Sequence, residues 1–254
     1  IQQGKWNGNQ LLSKEWIKMA TSKQVSNGSD PDNDWSQGYG FQFWRSRFNT
    51  YRGDGAMGQF CLVIPEHNTI VAITSGTDNM GGIMQVVWDE LLPKINSSAM
   101  ISNPEGNEIL RKKSASLELK PVNGKMSKSL AKKFFNKKIE IAENQEGVKS
   151  IFFSHKKDQI EIKVNDKVEI IPFGFDKYIK SELDGHLPFT SAKEYKVIPE
   201  SSLRYKKNKK IAASGAWISE QEFHLRIYQY ETPARMDYIF NFKNGELKWD
   251  CKRS

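Results

Sequence analysis

The chain has 254 residues, 38% hydrophobic and 11% aromatic, which is enough apolar material to bury a core and excludes global disorder. It has no run of about 18 apolar residues and a mean hydropathy of −0.63, so no membrane-spanning helix is expected. Cys61 and Cys251 are too few for a disulfide framework or a cysteine-based zinc site, and 38 Lys+Arg against 30 Asp+Glu leave a formal net charge of +8.

Ile1 to Gly8 carries no initiator Met, basic n-region or apolar h-region, so it does not read as a signal peptide but as the interior of a longer chain. Ser13 is placed to cap a short helix with Trp16 at its third position. Tyr39-Gly40-Phe41-Gln42-Phe43-Trp44 reads as an aromatic strand. Gln59 to Ile64 and Thr69 to Thr74 are apolar runs joined by Pro65-Glu66-His67-Asn68, which predicts a hairpin. The second run is nearly continuous in β-branched residues, the pattern of a strand covered on both faces. Ile83, Val86, Val87, Leu91 and Ile95 recur at helical spacing and predict a helix packed on that sheet.

A boundary follows. Residues 1–99 hold 8 Lys+Arg and 9 Asp+Glu, whereas residues 100–254 hold 30 and 21, and turn formers cluster between Asn96 and Asn107. We expect one domain over 1–97, a linker over 98–115 and a second domain over 116–254. In the latter, short alternating strands are predicted at 139–141, 151–153, 160–164, 168–171, 222–228, 236–242 and 247–249. Asn165-Asp166 and Asn244-Gly245 sit where tight hairpin turns belong. The fold class expected is α+β: a partial antiparallel sheet with packing helices, then an antiparallel β-barrel or sandwich.

Tyr51-Arg52-Gly53-Asp54-Gly55-Ala56-Met57-Gly58-Gln59 places three glycines within six residues at the start of a strand. Such a stretch is either a glycine-rich turn or bulge, or a backbone that something must approach closely. Asp54 within it reads as a turn former or as a lone carboxylate. The four His are scattered without an i,i+4 pair, so neither a metal nor any other cofactor is expected. Lysine clusters at 132–133, 137–138 and 206–210 read as solvated surface. Lysine outnumbers arginine 30 to 8, and no nucleic-acid motif accompanies them, so nucleic acid is not an expected partner.

Several pieces occur in a fixed order: Gly4-Lys5-Trp6-Asn7-Gly8, Leu12-Ser13-Lys14-Glu15-Trp16, Tyr39-Gly40-Phe41, Gly53 to Gln59, Val63-Ile64-Pro65-Glu66 and Val71 to Gly76. Together, over about residues 4–95, they resemble the C-terminal third of the β-lactamase-related, penicillin-binding-protein-like serine hydrolases, on the class C and esterase side. That family uses a Ser-x-x-Lys nucleophile, a Tyr-x-Asn or Ser-x-Asn, and a Lys-Thr-Gly or His-x-Gly strand whose next N–H completes an oxyanion hole. The resemblance implies that Gly53-Asp54-Gly55 is the counterpart of the third motif and that Ala56 supplies the N–H; a shift of one residue instead puts Arg52 at the cationic position.

The other two motifs are missing where they are needed. No Tyr-x-Asn or Ser-x-Asn occurs, and Ser-x-x-Lys occurs only at Ser129–Lys132 and Ser154–Lys157, downstream of the glycine-rich strand. With 23 Ser and 30 Lys, roughly three such matches arise by chance. No catalytic residue of the family is therefore found in this chain, which reads as a C-terminal fragment, inactive alone, of an enzyme acting on an amide, ester, β-lactam or D-Ala peptide. Ile171-Pro172-Phe173-Gly174-Phe175, Ala212 to Trp217 and Tyr228 to Pro233 look like the lipocalin-like β extension appended to some bacterial members. The resemblance implies a periplasmic or extracellular location and an unpaired sheet edge at Thr69 to Thr74 open to self-association. The alternative is a non-catalytic β-barrel module that binds an apolar ligand or a cell-envelope polymer.

Overall fold

A computed structural model gives an α+β protein with four antiparallel sheets and few helices. It describes all residues except 97, 99–100, 127–134, 145–146, 155–156, 185–207, 244–245 and 254. The chain divides into two compact units, Ile1–Lys112 and Lys113–Ser254. No helix among the described residues is long and apolar enough to cross a membrane.

In the first unit β1 (Lys5–Trp6) and β2 (Asn9–Gln10) form a two-residue hairpin across Asn7 and Gly8, which have φ of 47° and 81°. Positive φ at both central positions is what a tight hairpin turn demands. Helix α1 (Lys14–Thr21) starts where expected: the Ser13 hydroxyl accepts from the Trp16 N–H at 3.1 Å. Next come β3 (Trp44–Arg45), β4 (Tyr51–Gly55), β5 (Gln59–Ile64) and β6 (Thr69–Ile73), hydrogen-bonded in that order. The β5–β6 hairpin is as predicted, with Pro65–His67 forming a 3-10 turn and Asn68 left-handed at φ 48°. Helix α2 (Met80–Val86) follows, capped by Asn79, whose Oδ1 accepts from the Gly82 N–H at 3.0 Å.

Three expectations for this unit need correction. The aromatic run 39–44 is not a strand. Positive φ at Gly38 (115°) and Gln42 (66°) breaks it, leaving only Trp44–Arg45 in the sheet and isolated bridges at Tyr39. The helix over 83–95 packs on the sheet and runs without a break to Lys94, but it is not α-helical throughout: after Val86 it becomes a π turn at Val87–Leu91 and a 3-10 turn at Leu92–Lys94. Pro93, with no N–H to donate, sits in the closing 3-10 turn. Strand β6 is not covered on both faces: Val71 and Ile73 pack into the core, while Ile70 and Ala72 are exposed. On its outer side β6 has no partner strand among the described residues.

The core of this unit lies between one sheet face and α2. Phe60, Leu62 and Ile64 alternate inward along β5 against Met84, Val87 and Trp88. Helix α3 (Pro104–Ala115) occupies most of the segment expected as a linker and buries none of its side chains.

The second unit opens with a four-stranded sheet. Its strands are β7 (Lys138–Glu140), β8 (Val148–Ser154), β9 (Gln159–Val164) and β10 (Lys167–Pro172), in the order β10-β9-β8-β7. A five-stranded meander follows: β11 (Ile179–Leu183), β12 (Lys209–Trp217), β13 (Glu222–Tyr228), β14 (Arg235–Lys243) and β15 (Glu246–Arg253). The β9–β10 hairpin turns on Asn165-Asp166 as predicted, with Asn165 at φ 52°; Asn244-Gly245 lies outside the described residues. Strands β13 and β14 alternate strictly between buried and half-exposed side chains.

Both sheets contribute to one core, and no strand pairing closes them into a barrel among the described residues. Aromatic rings fill that core. Phe223 lies 5.3 to 6.5 Å, centroid to centroid, from Phe135, Phe153, Phe173, Trp217 and Phe240. Strand β12 is buried on both faces because a strap covers its outer side: the Val122 N–H donates to Ser214 Oγ at 3.1 Å and the Lys125 N–H to Trp217 O at 2.8 Å. The small residues Ala212, Ser214 and Ala216 leave room for that strap.

Candidate functional site

Strand β3 is only two residues long and pairs Trp44 with Arg52 and Arg45 with Tyr51. The next three residues of β4, Gly53-Asp54-Gly55, pair with Cys61, Phe60 and Gln59 of β5 on one side. On the other side they have no strand partner among the described residues. The open edge follows from the turn geometry, because Phe48 and Asn49 (φ 55° and 53°) close the β3–β4 turn and Gln42 diverts the chain before β3 can lengthen.

The glycines around this edge differ in purpose. At Gly58 (φ 80°) a Cβ would lie 2.3 Å from Ser75 Oγ and 2.5 Å from Ile83 Cδ1, so only glycine fits. The Ser75 hydroxyl proton lies between the carbonyls of Met57 (2.8 Å) and Gly58 (3.0 Å) as a shared donor, and Gln59 Nε2 donates to Ser75 O at 2.6 Å, which fixes the hairpin tip. Gly58→Ala should destabilise the first unit by about 1–3 kcal/mol. Urea unfolding followed by tryptophan fluorescence measures this, and a loss below about 0.5 kcal/mol would contradict the clash. A Cβ at Gly53, by contrast, would meet only Cys61 Cβ at 3.9 Å, so crowding does not require glycine there and the strand simply leaves its surface bare. Ala56 stands exposed just beyond the strand.

Arg52 and Asp54 point to the opposite face, into the core side. The Arg52 side chain is 0% exposed and that of Asp54 7%; Nε donates to Asp54 Oδ2 at 3.1 Å, with Nη2 2.9 Å from the same oxygen. Nη1 donates to Asp34 O (3.1 Å), Arg45 O (3.3 Å) and, over a short contact, to Ser46 Oγ. Trp35 lies under the guanidinium at 4.6 Å, with Trp44 and Phe60 farther out at 5.7 and 5.9 Å. Burial pulls the Arg52 pKa down, opposed by the charge of Asp54. Arg52 is therefore a buried partner for Asp54, not a cation presented to the open edge. Asp54 is a strand residue held in an ion pair, neither a turn former nor a lone carboxylate.

Asp34 is a second buried carboxylate in this unit. Its Oδ1 accepts from the Arg47 N–H (3.0 Å), and Oδ2 accepts from Arg47 Nε (3.2 Å) and Trp88 Nε1 (2.9 Å). It ties the loop before β3 to the helical segment. Asp34, Ser46 and Ser75 were not singled out in the sequence, where their only mark is a setting rich in Asp, Asn, Ser and Gly.

Both downstream Ser-x-x-Lys matches fall within the span of the second unit. Ser154 ends β8 in the second unit and is nearly buried, on a strand and not on a helix; Ser129 and Lys132 lie outside the described residues, as do lysines 133 and 206–207. As described, the site offers an extended backbone edge with a bare glycine surface beside the exposed Cys61, which can pair with an extended chain; no serine or histidine lies on β3, β4 or β5. No protein-family model matches the chain, and no curated protein or solved structure does either.

Proposed function

We propose that this chain is the C-terminal portion of a β-lactamase-related serine hydrolase in which β4 aligns an extended acyl substrate. The acylated serine would come from a segment outside these 254 residues. The observation that carries the reading is the edge of Gly53-Asp54-Gly55, which has no strand partner among the described residues and is the stretch that resembles the family's substrate strand. In such a hydrolase the serine oxygen bonds the substrate carbonyl carbon, and the serine proton passes to the departing nitrogen or oxygen. Water then releases the acid and restores the serine. The contribution of β4 is positional: backbone groups hold the substrate chain, and the Ala56 N–H would face the developing oxyanion. The buried Arg52–Asp54 pair keeps both charges on the core face of the strand.

On this reading the second unit is the lipocalin-like appendage, and the outer side of β6 would receive a strand from the rest of the enzyme or from a second copy. A periplasmic or extracellular location belongs to the same proposal. The ring-filled interior of the second unit counts against the alternative of a barrel that carries an apolar ligand.

The purified chain should hydrolyse neither nitrocefin nor p-nitrophenyl butyrate and should form no adduct with a fluorophosphonate probe. Turnover by the chain, or an adduct on a serine such as Ser129 or Ser154, would overturn the assignment.

A further inference from the structure

The sheet face opposite the core of the first unit carries a cavity of about 500 Å³, within the range of small-molecule sites. Its floor is one cross-strand row, Tyr51–Val63–Ile70, in register across β4, β5 and β6. Trp16 and Ile17 of α1 form one wall, and the β1–β2 hairpin, through Lys5 and Trp6, forms the other. Phe43 packs edge-on against Tyr51 at 5.8 Å, and Trp16 is braced by Phe41, stacked at 5.7 Å. The lining is open to water: Trp6 is 62% exposed, Ile70 60% and Trp16 44%. None of the lining residues is acidic, and Lys5 supplies a positive side chain at the hairpin wall.

We infer that this cavity binds a single-chain anionic amphiphile, with the apolar tail over the Tyr51–Val63–Ile70 row and a carboxylate near the Lys5 ammonium. The tail is selected by an aromatic and aliphatic lining that water otherwise wets. The sign of the headgroup is selected by a lining with a cation and no carboxylate, where an acidic side chain would repel it. The inference does not depend on the hydrolase reading, since it needs no serine and uses the row Tyr51–Val63–Ile70, next to Gly53–Cys61 on the same sheet face.

Decanoate and decanol titrations, followed by tryptophan fluorescence and calorimetry, test it on the intact chain. Decanoate should bind saturably at one site and more tightly than decanol. Lys5→Gln should weaken decanoate by about three- to fivefold, the scale of a solvent-exposed ion pair, and leave decanol unchanged. Trp16→Ala should weaken both by tenfold or more through lost apolar contact. Ile70→Asn, at a position 60% exposed, should weaken both as well and guards against a Trp16→Ala variant that fails to fold. Absence of saturable binding, equal affinity for the acid and the alcohol, or indifference to the Trp16 and Ile70 changes would each overturn the inference. So would a concentration-dependent dimer that buries these residues and resists decanoate, which would make a second copy the occupant.

Discussion

Replacing Arg52 with Met is expected to cost the first unit about 3–5 kcal/mol, because it leaves the Asp54 carboxylate buried without its partner. The side chains concerned are 0% and 7% exposed, and Asp54 Oδ2 lies 2.9 and 3.1 Å from two nitrogens of the same guanidinium. The loss also frees the acceptors Asp34 O and Ser46 Oγ, and it removes the cation over Trp35. Since a buried ion pair is often matched by apolar residues of similar volume, Arg52→Met combined with Asp54→Leu should recover most of the loss. Urea unfolding monitored by tryptophan fluorescence distinguishes the cases. A loss below about 1 kcal/mol in the single variant would show that the pair is solvated and that Arg52 is free to serve the edge.

Phe223→Ala should destabilise the second unit by a comparable 3–5 kcal/mol. The ring is fully buried, and its neighbours come from both sheets: Phe153 from β8, Trp217 from β12 and Phe240 from β14. Removing it opens a cavity that fixed rings on all sides cannot collapse into, so the cavity cost adds to the lost transfer free energy. Phe223→Leu keeps most of the volume and should cost under about 1.5 kcal/mol. Near-ultraviolet circular dichroism, which reports packed aromatic residues, follows the transition. Equal stability of the Ala and Leu variants would contradict a ring-filled interior.

Where one face of a strand is buried and the other wet, the fold is legible in the residues themselves. Glu222–Tyr228 and Arg235–Lys243 show this, because alternation of apolar and polar side chains encodes the face directly. The Ser13 cap and the Asn165-Asp166 turn were legible for a similar reason, since their chemistry is local. Strand β12 was hidden as a strand by its composition: Ala212-Ala213-Ser214-Gly215-Ala216 does not alternate, since a strap buries its outer face too. The run 39–44 misled in the other direction, because aromatic content resembles strand propensity while the positive φ of Gln42 is not written in the residue type.

At the candidate site, glycine spacing pointed to β4, but the orientation of Arg52 was open until the register was known. On β4, Arg52 and Asp54 are two residues apart and share a face, and the pairing of Arg52 with Leu62 turns that face toward the core. The bonds to Asp34, 18 and 54 residues away from Arg52 and Trp88, depend on tertiary approach and leave no local signature.

The most direct measurement is an amide NMR titration of the chain with an N-acylated D-Ala-D-Ala peptide. If β4 is the substrate strand, the amide signals of Gly53, Asp54, Gly55 and Ala56 shift together, and hydrogen exchange slows at the alternate residues whose N–H points away from β5, as expected when an extended chain pairs along that edge. Perturbation confined to other residues, or no perturbation at these four up to millimolar peptide, would contradict the assignment.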